Sequence, residues 1–316
     1  MTERRTMAKP PFSLDFTPEH GVVVEVLPGI RRLTAPNPSP MTFTGTNSWL
    51  VGGGAGERVT VIDPGPDDPA HLAALVDAAG GPRRIERILV THPHVDHSAG
   101  AARLSRLTGA PILGCGPAGS GRSALMRQLA ESGAIGGGEG VDTGFAPDEV
   151  LGEGDVVRGE GWRIEVVETP GHMAEHLSFA LGEALFSGDH VMGWATTLVS
   201  PPDGDLAAFL ASLDKLRTRS ESLYLPGHGD VVRNPREVID WIRAHRAERS
   251  EQIRAALATG PRTAAEITRA VYVDLDPRLL PMAERNVLAH LLAMIEEGEV
   301  APVGQLSAQG SFALGK

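Results

Sequence analysis

The chain lacks the features that mark disulfide-built and membrane proteins. Its 316 residues include one cysteine, Cys115, so no internal disulfide can form, which fits a reducing compartment. No apolar run reaches the roughly 18 residues that a transmembrane helix needs, and residues 1–18 contain no apolar signal-peptide core. We therefore expect a cytoplasmic protein with no membrane partner.

Positive charge is also scarce. The formal net charge is −11, with 29 Lys and Arg against 40 Asp and Glu, which is unfavourable for binding polyanions. One exception is residues 233–254, with six arginines against four acids. The simplest interpretation is a solvated amphipathic helix. If RNA were the substrate, Arg243, Arg246 and Arg249 would contact its phosphates.

Histidines, by contrast, are concentrated at particular points. Residues 91–97 read Thr-His-Pro-His-Val-Asp-His directly after a strand-like aliphatic run. Three later motifs, at 169–172, 187–190 and 225–229, likewise place a histidine or aspartate beside a glycine after a short apolar run. Because such side chains lie at strand ends, we expect them to share one sheet edge and form a metal site.

These motifs resemble the metallo-β-lactamase-fold superfamily, whose pattern is H-x-H-x-D-H followed by a distal His, a bridging Asp and a final His. The resemblance implies an α/β fold, the αββα sandwich. It also implies two Zn²⁺ ions per chain, with Mn²⁺ or Fe²⁺ as alternatives. The implied ligands are His92, His94 and His172 for one metal, Asp96, His97 and His228 for the second, and Asp189 as the bridge. Asp63 would orient the ligands without binding a metal itself.

Paired metals explain why these residue types would be needed. Two cations about 3.5–4 Å apart can share a water, lower its pKa towards about 7 and supply a bridging hydroxide without a Ser or Cys nucleophile. Asp96 is the catalytic candidate, since it could steer that nucleophile as well as bind metal. His176 and His190 flank ligands, and each is as compatible with packing as with a substrate contact.

The order of strands and helices fits the sandwich. The helices are predicted at 69–79, 98–108, 123–132, 204–218 and 235–258. The strands are predicted at 22–34, 43–51, 59–63, 87–91, 111–114, 162–169, 177–181, 184–187 and 222–225.

Residues 114–144 are unusual because ten of the 31 are glycine. Residues 116–123 look like a phosphate-binding P-loop with arginine in the lysine position. Without the lysine, and within a different fold, we reject that function. The segment is better interpreted as a flap over the site or an insertion.

The sequence pattern of the C-terminal region predicts a small winged-helix-like domain. Thr263 and Glu266 form a capping box, a further helix runs from Pro281 to Gly298, and strands follow at 299–303 and 311–314. We divide the chain into an N-terminal extension (1–19), a catalytic domain (20–244) and this domain (245–316). The combination is similar to β-lactamase-like hydrolases whose mitochondrial relatives cleave single-stranded RNA.

Three functions remain open. The leading hypothesis is a binuclear hydrolase acting on a small ester, thioester or lactone, and the alternative is a metal-dependent endoribonuclease acting on single-stranded RNA. The third is a DNA-binding regulator using helix 282–297, which carries Arg285, Asn286 and His290 but ends in acid, so no DNA partner is expected. A homodimer through the apolar faces of the C-terminal region is a further expectation.

Overall fold

The computed structural model describes residues 9–54 and 57–315, so residues 1–8 of the predicted N-terminal extension lie outside it. The first sheet has seven strands, in sequence order: β1 (Val23–Leu27), β2 (Ile30–Thr34), β3 (Asn47–Gly52), β4 (Val59–Ile62), β5 (Ile85–Leu89), β6 (Ile112–Gly114) and β7 (Glu149–Val150). The second runs in the order β12-β11-β10-β9-β8: β8 (Val156–Gly159), β9 (Trp162–Glu168), β10 (Leu177–Leu181), β11 (Ala184–Gly188) and β12 (Leu223–Pro226).

The helices are α1 (Pro69–Ala78), α2 (Val95–Ser98), α3 (Ala101–Thr108), α4 (Ala124–Ser132), α5 (Leu206–Thr218), α6 (Pro235–Leu257), α7 (Ala264–Val271) and α8 (Leu280–Glu296). α1 and α3 cover the outer face of the first sheet, and α5 and α6 cover that of the second, whereas α4 packs with α7 and α8. In the described residues, no helix is both long and apolar enough to cross a membrane.

Successive side chains on the central strands point to opposite faces of the sheet. They therefore contribute to hydrophobic packing both between the two sheets and against the outer helices. Trp49 and Ile62 point between the sheets, where the Trp49 ring meets that of Phe186 at 5.8 Å. The intervening Leu50 and Val61 pack against α1 and α3 on the outside. Since both faces of these strands are buried, their sequences are almost continuously apolar. The second sheet packs its outer face on α5 and α6. The predicted αββα sandwich is confirmed.

Several element boundaries differ from the prediction. The single strand predicted at 22–34 is two antiparallel strands, because Gly29 adopts φ +75° and turns the chain back at Ile30. The helix predicted at 98–108 is split into α2 and α3 around residues 99 and 100. β7 and β8 were not predicted, since each is short and partly exposed.

The C-terminal region contains α7, α8 and a three-stranded sheet, β13 (Arg262–Thr263), β15 (Ser311–Leu314) and β14 (Val300–Val303), in that spatial order. The predicted capping box is present. α6 continues through the predicted boundary at 244/245. Its first half packs on the second sheet and its last turns pack with α7 and α8. The predicted domain limits stay a prediction.

Buried neutral histidine makes stability depend on pH. His71 is 2% exposed, with its Nε2 2.9 Å from Ser48 Oγ, and burial lowers its pKa to about 4. Between pH 6.5 and 4 the unfolded chain binds a proton that the folded chain refuses, so stability falls as the pH falls. We expect this group to contribute up to about 3 kcal/mol of that loss.

The measurement is urea unfolding at pH 7 and pH 5 for the wild type, His71→Gln and the exposed-site control His20→Gln. The acid-dependent loss should be smaller in His71→Gln alone. An equal loss in all three proteins would contradict the prediction.

Candidate metal centre

The parallel strands bring the predicted ligands to one end of the sandwich. β4 pairs with β5 so that Ile62 faces Leu89, and β11 pairs with β12 so that Gly188 faces Pro226. The residues that follow these strands therefore emerge side by side, as the sequence predicted. The backbone N–H of Asn47 on β3 donates to Gly227 O at 2.7 Å and ties the two sheets together there.

The first group consists of His92, His94 and His172. His94 Nδ1 lies 3.0 Å from both His92 Nε2 and His172 Nε2. His94 occupies the N-cap position of α2, in extended backbone, which turns its ring towards the other two. All three ligand atoms lie within 4.8 Å of one another. One metal ion could contact all three.

The second group consists of Asp96, His97 and His228. His228 Nε2 is 3.2 Å from Asp96 Oδ2 and 3.3 Å from His97 Nε2. Asp96 and His97 lie together on α2, whereas His228 follows β12. This arrangement also satisfies the 4.8 Å limit for a shared ion.

Asp189 stands between the groups. Its Oδ2 is 3.3 Å from His228 Nε2 and 3.8 Å from His172 Nε2, and its Oδ1 is 3.4 Å from His97 Nε2. The side chain follows Gly188, which has φ +48° and whose added Cβ would lie 2.6 Å from His176 Nε2. One carboxylate therefore faces both groups.

Burial keeps the first group neutral. It lowers the pKa of His92 and His172 and that of His94 to about 3, since a charged imidazole would lose its hydration. Neutral imidazoles carry the lone pairs that metals need.

The second group behaves differently. Burial opposes charge on His97 and His228, but Asp189 and Asp96 outweigh it, raising the pKa of His228 to about 9 and that of His97 well above its usual value. The carboxylates are buried too, yet these histidines hold the pKa of Asp96 and Asp189 below the usual range. Two carboxylates facing buried imidazoles have the charge to accept a cation in place of these protons.

The donor set fits a metal pair. Asp189 Oδ1 is buried and, among the described residues, makes no hydrogen bond. Five imidazoles and two carboxylates supply the nitrogen and oxygen ligands that suit zinc. A buried carboxylate oxygen without a hydrogen bond is costly unless a charge compensates it. A bound cation would supply that charge in place of the proton on His97, whose Nε2 is 3.4 Å away.

Polar contacts orient the ligands from behind. Asp63 Oδ2 lies 2.9 Å from His97 Nδ1, and Asp63 also accepts from the backbone N–H and hydroxyl of Thr91 at 2.8 and 2.7 Å. His172 Nδ1 lies 2.7 Å from Leu198 O, and His228 Nδ1 lies 3.2 Å from Gly45 O. These carbonyl contacts fix the tautomers that leave Nε2 facing the centre. Asp63 is where the resemblance implied a supporting aspartate.

Replacing Asp63 with asparagine should disturb this orientation. The amide NH₂ would confront either Thr91 or the His97 N–H, both of which donate to the carboxylate. We expect metal affinity or kcat/KM to fall about 10–100-fold. Asp67→Asn, at an exposed aspartate on the same loop, is the matched control and should change neither. Equal behaviour of the two variants in chelator competition would contradict the assignment.

His176 and His190 stay outside both groups. The backbone N–H of Asp189 donates to His176 Nε2 at 3.2 Å, and His176 Nδ1 lies 2.8 Å from Thr169 Oγ1. His190 is fully buried against the Phe209 ring at 4.5 Å. The sequence left packing and a substrate contact open for these two histidines, and their contacts agree with packing and support of the neighbouring ligands.

The glycine-rich segment does not offer a phosphate cradle. Glu175 is 1% exposed, and its Oε1 accepts from the amide of Gly121 at 2.6 Å. Asp203 accepts from the amide of Gly138 at 2.8 Å and from the guanidinium of Arg122. The chain's own carboxylates thus occupy these donors, in agreement with the rejected P-loop function.

A cavity of about 430 Å³ opens onto the centre. Its remaining wall is largely apolar and joins both halves of the chain, with Met41, Met173, Leu198, Pro281 and Met282. Sequence reasoning missed these residues. They carry no ligand chemistry, and Pro281 and Met282 reach the cavity only because α8 packs beside the loop at 198–203.

A sandwich with clustered His and Asp side chains at the ends of its strands defines a class of hydrolytic enzymes. The chain belongs to the metallo-beta-lactamase superfamily, whose family model matches residues 41–228. The model of the beta-lactamase associated winged helix domain matches residues 263–309. The predicted family, winged helix and hydrolase class are confirmed.

Known relatives match most of the chain. The chain is 31% identical over 290 residues to the beta-lactamase-like protein 2 homolog of Drosophila melanogaster, covering 87% of this chain and 93% of that one. It is 30% identical over 268 residues to an atrochrysone carboxyl ACP thioesterase of Aspergillus fumigatus, covering 79% and 75%. The crystal structure of a beta-lactamase domain protein from Burkholderia ambifaria superposes with a TM-score of 0.77 at 27% identity, covering 95% of each chain.

Proposed function

We propose that this hydrolase holds two metal ions, zinc in the first instance, and cleaves a small acyl ester or thioester. His92, His94 and His172 would hold one ion, Asp96, His97 and His228 the other, with Asp189 shared. When bound, the metals would supply a hydroxide nucleophile at neutral pH and polarise the substrate carbonyl. The thioesterase relative supports an acyl substrate.

The chain's own residues would orient the reaction. Asp96 lines the cavity, and its carboxylate is ionised, so it can accept a hydrogen bond from the attacking water and aim it at the carbonyl. Thr46 Oγ1 lies 3.5 Å from Asp96 Oδ2 on the side of β3. The thiolate or alkoxide leaves as the carbonyl carbon gains its new oxygen.

The observation that carries the choice of substrate is the cavity wall. Met41, Met173 and Met282 offer flexible, apolar contacts suited to an acyl chain. Among the described residues that line the cavity, Arg285 is the only Lys or Arg. Its guanidinium already donates to Ser200 Oγ at 2.9 Å and to Ile135 O at 2.6 Å. A phosphodiester would find acids in the described cavity wall and no free Lys or Arg side chain.

The three α6 arginines that would contact RNA phosphates are already engaged by other described residues. Arg246 is 2% exposed, so it cannot contact phosphates. Arg243 pairs with Asp214, and Arg249 lies over the Tyr272 ring at 4.5 Å and donates to Gln252. The sequence predicted that these side chains would be solvated, but tertiary packing turns Arg246 inward. RNA, a homodimer and the cytoplasm stay predictions.

The test is a panel on zinc-loaded protein: nitrophenyl esters of increasing chain length, acyl thioesters and a fluorescent single-stranded RNA. We expect acyl substrates to be preferred and kcat/KM to rise with chain length, because each buried CH₂ contributes about 0.8 kcal/mol. Met282→Asp should reduce the advantage of long chains about tenfold or more, by placing a charge against them.

Val273→Asp is the matched control, since Val273 is 73% exposed in the same domain and does not line the cavity. It should leave the chain-length dependence unchanged. RNA cleavage exceeding acyl hydrolysis, with a steep salt dependence, would reverse the proposal in favour of the endoribonuclease.

A further inference from the structure

A short internal segment, Thr197–Val199, runs between the metal centre and the C-terminal helices. We call it the 197–199 strap. Thr197 and Val199 are 1% and 0% exposed. The strap follows the motif that contains Asp189 and precedes α5. Sequence patterns give it no role.

The front of the strap contacts two of the predicted ligands. Leu198 O lies 2.7 Å from His172 Nδ1, and the contact fixes which ring nitrogen faces the centre. The Thr197 hydroxyl donates to the backbone carbonyl of Asp189 and lies 3.3 Å from that of His190. A shift of the strap would therefore move one ligand of the first group and the shared carboxylate together.

The back of the strap is held by α6 and α8. Arg246 donates to the carbonyl of Thr197, and Asn286 Oδ1 accepts from the backbone N–H of Val199 at 3.2 Å. Asn286 Oδ1 also accepts from Arg246 Nη1 at 3.0 Å. The Asn286 side-chain oxygen thus accepts hydrogen bonds from both the arginine and the strap.

Arg246 holds the strap at a high desolvation cost. No carboxylate among the described residues compensates its charge, although its side chain is almost fully buried. Carbonyl and amide oxygens and the Phe209 ring, 5.5 Å from the guanidinium carbon, compensate its charge instead. Arg246 Nε is buried and makes no hydrogen bond among the described residues. The bonds that the guanidinium does make therefore fix the strap's position at a cost in solvation.

Arg285 extends the same attachment. It donates to Ser200 Oγ and to the carbonyl of Pro201, directly after the strap, and to Ile135 O of the glycine-rich segment. Arg285, Asn286 and His290, the side chains that a DNA-reading helix would present, are therefore turned towards the catalytic sandwich or α6. His290 Nδ1 lies 3.0 Å from Ser250 Oγ and does not reach the strap.

We propose that the C-terminal domain positions the metal centre, with Asn286 and Arg246 acting as positioning residues for His172 and Asp189 through the 197–199 strap. The inference rests on the proposed metal site. It gives the winged helix a role inside the molecule, which is to hold the active centre in register.

The test measures zinc affinity by chelator competition and the visible spectrum of the cobalt-substituted protein, besides kcat and KM. Asn286→Ala removes the shared acceptor, and we expect zinc to bind about tenfold more weakly, with an altered cobalt spectrum. Asn286→Asp keeps an acceptor for both donors and should restore affinity to within about threefold of wild type. His290→Ala, one helical turn further along α8, is the matched control and should stay within about twofold.

Thr197→Val and Thr197→Ser address the front of the strap and do not depend on Asn286→Ala folding. The valine variant should weaken zinc binding and the serine variant should not. Because both changes act through one segment, the double variant Asn286→Ala, Thr197→Val should lose less than the product of the single losses.

Unchanged affinity in Thr197→Val, or equal losses in His290→Ala and Asn286→Ala, would overturn the strap while leaving the metal site intact. A wild-type protein that binds no zinc, manganese or iron would overturn the proposed function and the strap with it.

Discussion

Replacing Asp189 with alanine should lower the occupancy of both metal positions and reduce kcat/KM by about a thousandfold or more, since water without the metals has a pKa near 15.7 instead of about 7. Asp189 is the carboxylate that faces both groups, with oxygens 3.3 to 3.8 Å from His228, His97 and His172. Without it, no protein carboxylate would be shared by the two groups to offset the repulsion between two bound cations.

Elemental analysis of protein purified without chelator measures this directly. The wild type should contain close to two transition-metal ions per chain. Asp214→Ala, at an acid on α5 paired with Arg243, is the control and should retain them. Loss of a single ion in Asp189→Ala would show that the bridge is misassigned, and a wild type without metal after zinc or manganese supply would refute the site.

Deleting residues 259–316 should leave a protein that is insoluble or reduced at least about a hundredfold in activity. The deletion uncovers Ile253 and Leu257 on α6 and Met126 and Leu129 on α4, which are buried together with α7 and α8. Contiguous exposed apolar surface of that kind promotes association. The deletion also removes Met282 from the cavity wall and Asn286 from its contact with the strap.

Solubility, metal content and ester hydrolysis of the truncated chain decide the outcome. The matched control is full-length Val303→Ser, which changes a 53% exposed side chain on β14 and leaves the buried core in place. A truncated protein that is soluble, metal-loaded and fully active would show that the C-terminal domain is dispensable.

The sequence singled out the seven candidate ligands because their signal is local. His92, His94, Asp96 and His97 lie within six residues, and each later ligand follows its own strand and glycine. Gathering them at one edge then needs parallel pairing of β4 with β5 and of β11 with β12. It also needs the antiparallel run β9-β10-β11, which brings the end of β9, before His172, to the same edge.

The cavity wall and the strap could not be predicted in this way. Asn286 meets Val199 across 87 residues and Arg246 meets Thr197 across 49. Polar residues on an amphipathic helix ordinarily face solvent. The sequence therefore predicted a solvated Arg246 and an Asn286 on the face of a DNA-reading helix. Only the packing of α6 and α8 on the sandwich reverses those orientations.

The length of α6 has a thermodynamic consequence. Its 23 residues span about 34 Å at 1.5 Å per residue, and they belong to two hydrophobic cores. Val238, Ile239 and Ile242 pack on the second sheet, and Ile253 and Leu257 pack with the winged helix. Because one helix serves both cores, complete unfolding of α6 would expose apolar surface in both of them, whereas fraying of its last turns would expose only the core that it shares with the winged helix.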